Sequence, residues 1–201
     1  CGEEDALVTY HEFESARDLW NLIMDNTYNR NEPGVLFVDH MNRMNNLNYC
    51  EWINATNPCG EQVLPIGGVC LLGSINLVHF IDPENKSWKY KELKQTIHTA
   101  IRFMDNVNDK TQVPLKHQKE NLKEKRRIGL GVLGYGSALL MAHVKYGNKK
   151  ALEMTDDLMK FFTNEAYRAS ALLAKEKGSF PLYDRERYTQ GEFIKRLDRG
   201  V

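Results

Sequence analysis

Three stretches of the chain repeat apolar residues at helical spacing. Between Glu14 and Tyr28 the apolar positions are Ala16, Leu19, Trp20 and Ile23, one face of a helix that Ser15 is placed to start. Between Tyr90 and Val107, Leu93, Ile97, Ala100, Ile101 and Met104 form a single stripe. The longest helix is predicted from Asn148, a capping residue, to about Lys177. Its core positions are Leu152, Leu158, Phe161, Phe162, Ala166, Ala169 and Leu173, and Gly178 is placed to stop it. A shorter helix is predicted from Ser137 to Val144. Strands are fewer. Val35-Leu36-Phe37-Val38 is continuous, apolar and partly β-branched, which predicts a short buried strand. The segment from Val69 to Leu77 is apolar with a Gly-Ser break and predicts another.

The connections are polar. Residues 1–12 read as loose, and Asn29 to Gly34 is turn chemistry. Residues 41–50, rich in Asn and Met, read as loop, with Met41 and Met44 as packing. Val63 to Gly68 is a second turn-rich segment, and residues 82–91 a charged surface connection. Residues 179–201 are short, charged and irregular, with a helical turn around Phe193. There is no internal repeat. Periodicity alone describes a mainly helical protein.

Two local patterns suggest chemistry and are set aside. Gly129-Leu130-Gly131-Val132-Leu133-Gly134 spells GxGxxG, but a dinucleotide site needs a buried strand before it, and Asn121 to Arg127 is not one. The glycines are expected to permit close packing beside the following helix. Lys110, Lys116, Lys119, Lys123, Lys125, Arg126 and Arg127 form a basic run, which usually means a solvated face; a phosphate or partner contact is the sharper alternative.

Composition narrows the class without naming a function. The chain has 201 residues, 42% of them apolar, with 27 Lys plus Arg against 27 Asp plus Glu. No net field recruits nucleic acid or an anionic membrane. No apolar run is long enough to span a bilayer, and the acidic, polar first twenty residues do not read as a signal peptide. The cysteines Cys1, Cys50, Cys59 and Cys70 contain no CxxC pair, which argues against zinc. They are also too few for a secreted disulfide framework, so a reducing cytoplasm is expected. The six histidines are scattered without a metal-ligand spacing and read as surface or satisfied core residues. Asn54-Ala55-Thr56 and Asn85-Lys86-Ser87 fit the glycosylation sequon, a pattern frequent by chance.

The chemically dense stretch is Asn57-Pro58-Cys59-Gly60-Glu61. Pro58 fixes its own φ and Gly60 opens backbone angles that other residues avoid, so the segment reads as a shaped loop. If the backbone is extended, Asn57, Cys59 and Glu61 share one side. A small ligand would then meet an amide, a thiol and a carboxylate together. The bland reading is turn chemistry around a small apolar cysteine.

Ala55 to Gln62, followed by Gly68-Val69-Cys70-Leu71-Leu72-Gly73-Ser74-Ile75-Asn76-Leu77, closely resembles the catalytic subunit of ribonucleotide reductase. It looks most like the adenosylcobalamin-dependent class II enzymes. Arg17-Asp18-Leu19-Trp20, Arg102 to Val107, Arg126 to Gly134 and Gly178 to Leu182 follow in the family's order, and the likeness covers roughly residues 13–198. The resemblance implies that Cys59 is the thiyl position that takes the 3′-hydrogen of the ribose. It implies that Glu61 accepts the 3′-hydroxyl proton and that Asn57 orients the substrate. Pro58 and Gly60 complete the substrate-binding loop. Cys70 matches one of the two cysteines that supply electrons by closing to a disulfide. Its partner lies upstream in family members, and Cys1 and Cys50 are not assigned to it. Leu71 departs from the Asn that usually follows that second cysteine.

The implied fold is α/β: one segment, residues 1–201, of a ten-stranded barrel with a finger loop at about 54–68, helix-rich here. The implied cofactor is adenosylcobalamin; the alternative is a class I subunit whose radical comes from a separate metal-containing partner. Implied partners are the ribonucleotide, a thioredoxin-like dithiol, the remaining pieces of the subunit and a second copy in a homo-oligomer. Neither nucleic acid nor membrane is expected. Family subunits are much longer, so the chain reads as a central piece, inactive and prone to associate alone. The non-enzymatic alternative is a remnant that only binds a partner subunit.

Overall fold

The computed structural model describes residues 10–201; Cys1 and the rest of residues 1–9 lie outside the described residues. The chain divides into two compact units, residues 1–37 and 38–201.

In the first unit, helix α1 spans Ala16–Arg30. The Ser15 hydroxyl accepts from the Asp18 backbone N–H, so the predicted cap forms, and Asn31 ends the helix in the left-handed region at φ 63°. Residues 32–37 have no regular structure, and Val35, Leu36 and Phe37 are exposed. The predicted strand at 35–38 is therefore absent. A short apolar run becomes a strand only when a neighbour completes its backbone pairing, and its periodicity cannot report that.

The second unit opens with α2, Val38–Met44, so the predicted loop at 41–50 begins as helix. The pairs β1 (Ala55–Thr56) with β2 (Val63–Leu64), and β4 (Ile81–Asp82) with β5 (Ser87–Trp88), are antiparallel hairpins. Between them, β3 (Leu71–Asn76) is continuous through Gly73 and Ser74. Helices α3 (Tyr90–Lys110) and α4 (Lys116–Lys125) then lead to β6 (Ile128–Leu133), which pairs parallel with β3 from Leu71↔Ile128 to Asn76↔Leu133. This β–α–α–β crossover is the α/β unit of the segment, and among the described residues it carries the only parallel pairing. Helices α5 (Tyr135–Met141), α6 (Lys149–Lys177) and α7 (Arg185–Thr189) complete it.

Helix α3 packs against both α6 and the β3–β6 pair. Leu77, Ile81, Leu93, Ile97, Leu139 and Leu158 are fully buried. Each contributes about 1.5–3 kcal/mol of burial. Asn148 caps α6 by accepting from the Ala151 N–H, and Gly178 ends it at φ 88°. The buried stripe of α6 is Ala151, Leu158, Phe162, Glu165, Ala169 and Leu173. Leu152, expected in the core, is exposed because it lies one residue, about 100° around the helix, from Ala151. Residues 82–91 are more than a surface connection: buried Trp88 donates its indole N–H to the Met154 carbonyl, 3.3 Å away.

The glycine-rich run is the largest change from expectation. Gly129 and Gly131 lie within β6, and Gly134, at φ 72°, caps α5. Ile128, Leu130 and Val132 pack on the core, while Gly129 and Gly131 alternate with them on the other face. The dinucleotide reading fails for this reason too, since the first two glycines sit in a strand and not in the turn after one.

Candidate functional site

The candidate loop is the tip of the β1–β2 hairpin. Its base is held from below by Asn42, a buried residue of α2. The Asn42 side chain donates to the Ile53 carbonyl (2.8 Å) and accepts from the Ile53 N–H (2.7 Å), acting as a strand partner for the chain just before β1. Beyond the hairpin, the Val69 N–H donates to the Asn121 side chain of α4 (3.4 Å).

The tip itself is turned, not extended. The Gly60 N–H donates to the Asn57 carbonyl (3.0 Å), closing a tight turn through Pro58 and Cys59, and Gly60 takes φ 78°. The Asn57 N–H donates to the Gln62 carbonyl (3.1 Å), and the Asn57 side-chain oxygen accepts from the Gln62 N–H (3.0 Å). The expected alternation of Asn57, Cys59 and Glu61 on one extended side therefore does not occur. Asn57 spends its oxygen holding the loop shut, which leaves its NH₂ to donate outward. Cys59 and Glu61 are exposed at the tip, and Asn57 is half-buried below them.

Cys70 is elsewhere, one residue before β3 and half-buried. The β3–β6 register places Leu72 beside Gly129 and Ser74 beside Gly131, so Cys70, Leu72 and Ser74 share the face that the glycines leave open. A side chain at Gly129 would put its Cβ 2.6 Å from Leu72 Cδ2, 2.9 Å from Gln62 Oε1 and 3.6 Å from Cys70 Sγ. Gln62, the residue that closes the tip, and Cys70 thus meet over Gly129. Burial pushes the Cys70 thiol up to about 11, against a lowering effect of the Arg127 charge.

The basic run is answered by an acid that the sequence did not single out. Arg127 and Lys125 both engage Glu51, whose side chain is almost fully buried. Lys125 Nζ stands 2.8 Å from Glu51 Oε2, an ion pair without a well-angled hydrogen bond. Arg127 Nη2 and Asn45 Nδ2 both donate to Glu51 Oε1. Arg126 pairs with Asp105 and Asp109 of α3. The end of the run is therefore an internal clamp between α4, α3 and the segment before the hairpin, not a solvated face. Only the lysine-rich character of 119–127 was legible; the buried acid that answers it is far upstream in the chain. Cys50, next to Glu51, is exposed.

A family model described as the ribonucleotide reductase barrel domain matches residues 3–199. Over 168 residues the chain is 38% identical to a vitamin B12-dependent ribonucleoside-diphosphate reductase of Thermoplasma acidophilum, covering 84% of this chain and 22% of that protein. A protein of the same name from Mycobacterium tuberculosis H37Rv is 33% identical over 175 residues, covering 87% of this chain and 24% of its own. The ribonucleoside-diphosphate reductase subunit alpha of Chlamydia pneumoniae is 33% identical over 180 residues, covering 88% and 17%. The chain thus spans roughly a quarter or less of these relatives. Among solved structures, the class Id ribonucleotide reductase alpha subunit of Actinobacillus ureae shares the fold, with a TM-score of 0.70 at 24% identity, over 90% of this chain and 35% of that one. From a match across nearly its whole length, the chain belongs to the ribonucleotide reductase barrel-domain family.

Proposed function

We propose that the chain is the hairpin-bearing segment of a ribonucleotide reductase catalytic barrel, acting on ribonucleoside diphosphates within a larger subunit, in the cytoplasm. The observation that carries this reading is the hairpin tip. A tight turn presents Cys59 and Glu61 to solvent, and Asn57 locks that turn while keeping donors free. In this reading a Cys59 thiyl takes the 3′-hydrogen, forming S–H and a carbon radical. Glu61 accepts the 3′-hydroxyl proton, the 2′-oxygen leaves as water, and Cys70 with a second cysteine supplies two electrons by closing a disulfide. The hydrogen then returns from Cys59. General-base help of this kind is typically worth 10²–10⁴-fold.

One cavity of about 770 Å³ is lined by Asn48, Tyr49 and residues of α7, and another of about 300 Å³ by residues of α3, α6 and the segment after α6. Neither includes Asn57–Glu61 or Cys70, and no cluster of three or more His, Cys, Asp or Glu side chains converges on a metal position among the described residues. Adenosylcobalamin dependence accordingly rests on the B12-dependent relatives. The class I alternative, with the radical made on a separate metal-containing subunit, is less favoured, because the Thermoplasma relative named B12-dependent has the higher identity, 38%. A dithiol reductant of the thioredoxin type and the remaining barrel are the partners this function calls for, and the complete subunit is expected to form a homo-oligomer. No helix among the described residues is long and apolar enough to cross a membrane.

The test is Cys59→Ser in the complete catalytic subunit, assayed with adenosylcobalamin and a dithiol. Serine preserves the turn but does not sustain reversible hydrogen transfer, so reduction is expected to vanish while the fold remains. Appreciable deoxynucleotide formation by that variant sinks the assignment.

A further inference from the structure

The parallel β3–β6 register runs back one step past Leu71↔Ile128 to Cys70 and Arg127. That step is fixed by the backbone, since the Leu71 N–H donates to the Arg127 carbonyl at 3.3 Å. Register partners in a parallel pair project to the same face. Leu72 beside Gly129 demonstrates this face, because a Cβ on Gly129 would meet both Leu72 and Cys70. The Arg127 guanidinium is itself immobilised. Its Nη2 donates to buried Glu51, and its Nη1 is buried with no partner among the described residues. A buried guanidinium nitrogen left without an acceptor is costly, so its retention calls for an explanation.

We propose that Arg127 is a positioning residue for Cys70, a guanidinium held by Glu51 beside the thiol that stabilises sulfur when it carries negative charge. The proposal rests on the reading of Cys70 as a redox thiol. In re-reduction, a dithiol thiolate attacks the sulfur bonded to Cys70. The S–S bond breaks, a mixed disulfide forms, and Cys70 departs as thiolate. The second dithiol sulfur then closes the reductant's own disulfide, releasing the other cysteine and leaving two electrons on the pair; protons come from water. A stabilised leaving thiolate speeds this exchange. Around Cys70 the other elements contribute neutral groups: Gln62 after the tip, Asn121 of α4 beside Val69, and Gly129 of β6. Arg127 is the charge among the described residues that acts on the thiol, countering the burial that raises it.

The experiment measures the pH dependence of iodoacetamide alkylation at Cys70 in the complete catalytic subunit, with peptide mapping to read Cys70 apart from the other cysteines. Two variants carry opposite signs. Arg127→Gln removes the cation and is expected to slow alkylation at mildly alkaline pH by about threefold, half a unit of thiol pKa. Glu51→Gln removes the neutralising acid, leaves Arg127 uncompensated and is expected to speed alkylation by about the same factor. Arg127→Lys, which keeps the charge, stays near the parent. General loosening of the fold would move the first two variants in one direction together, and that result, or an unchanged profile in Arg127→Gln, overturns the proposal. If one variant does not give the parent's circular dichroism, the sign of the other decides. Because the assay reads a thiol and not turnover, its failure removes the role of Arg127 and leaves the reductase reading standing; the turnover of Cys70→Ser tests that reading separately.

Discussion

Replacing Glu51 by alanine is expected to be among the most damaging single changes to this chain, and a second buried acid shows why. Glu51 is 2% exposed in its side chain, and its cationic partners Lys125 and Arg127 are only 9% and 13% exposed. Glu165 of α6 is almost as buried at 5%, but its partners Lys94, His98 and Arg168 are 47%, 29% and 36% exposed. Deleting one member of a buried pair costs about 3–5 kcal/mol when the other is left uncompensated. Lys125 and Arg127 are held largely out of water, so Glu51→Ala falls in that range. The three partners of Glu165 can turn outward and be hydrated, so Glu165→Ala costs about 1–3 kcal/mol. For a chain of this size each kcal/mol moves Tm by about 2–4 °C, which puts the Glu51→Ala drop on the order of 10 °C and that of Glu165→Ala at about half as much. Thermal melts followed by circular dichroism, with urea titrations at one temperature, measure both. Removing all three charges at once, as Glu51→Leu with Lys125→Met and Arg127→Leu, is expected to recover most of the loss, because no buried charge is then left unpaired and only the Asn45 amide loses a partner. Equal drops for the two alanine variants, or a Glu51→Ala melt within a degree or two of the parent, would refute the reasoning.

Other outcomes follow from the same structure. Cys70→Ser in the complete subunit is expected to allow at most about one turnover with a dithiol reductant, read as deoxynucleotide formed per subunit; sustained turnover would make Cys70 structural. Gly129→Val is expected to cost about 1–3 kcal/mol, since its side chain meets Leu72 and Gln62, whereas Gly131→Ala, with its nearest neighbour 3.6 Å away, costs far less. Denaturant titration ranks the two, and the reverse order would contradict the open-face geometry. Burial raises the Glu165 carboxyl, but the hydrogen bonds from His98 and Lys94 and the charge of Arg168 outweigh it and hold the group below its ordinary 4.5. Its contribution to stability is therefore full above that ordinary value and is lost as pH falls through the lower folded value. Glu165→Gln is expected to flatten the acid limb of the stability–pH curve, and an unchanged limb would locate the acid sensitivity elsewhere.

What could be read from the sequence was what short-range chemistry decides. Ser15, Asn148 and Gly178 mark helix ends because capping needs only residues within a turn of one another, and all three do so. The stripe on α3 is legible because Leu93, Ile97, Ile101 and Met104 bury one face. The strand at 35–38 failed because pairing is not a property of the run that pairs. The glycine run was misread for a related reason. Apolar residues at 128, 130 and 132 alternate with glycine at 129 and 131, which is a period of two, but glycine gives no hydropathy signal, and the run was expected only to pack beside the following helix. At the hairpin, Pro58 and Gly60 announced a shaped loop, while the Asn57 side-chain bond to the Gln62 backbone, which decides that shape, requires the chain to double back. Arg127 was hidden among exposed lysines because its partner, Glu51, is distant in sequence.

The two faces of the β3–β6 ladder explain why those errors gather at one place. One face bears Ile75, Ile128, Leu130 and Val132 and is closed by the core that α3 and α6 build. Hydrophobicity specifies that face, and sequence reasoning finds it. The other bears Cys70, Leu72 and Ser74 against Arg127, Gly129 and Gly131, with Leu72 and Leu133 exposed. Packing does not specify those residues; a thiol, a clamped guanidinium and two vacant Cβ positions make sense only as room and charge kept for something else. A two-stranded parallel ladder is not stable by itself, and each of these strands has an unpaired outer edge among the described residues. Further strands at those edges, as the proposed barrel supplies, would turn the open face into an enclosed interior. The Cys70 thiol, already raised by partial burial, would then lose still more water, and the field of Arg127 would act on it through a lower dielectric. The influence of Arg127 on Cys70 should thus be greater in the complete subunit than in this chain.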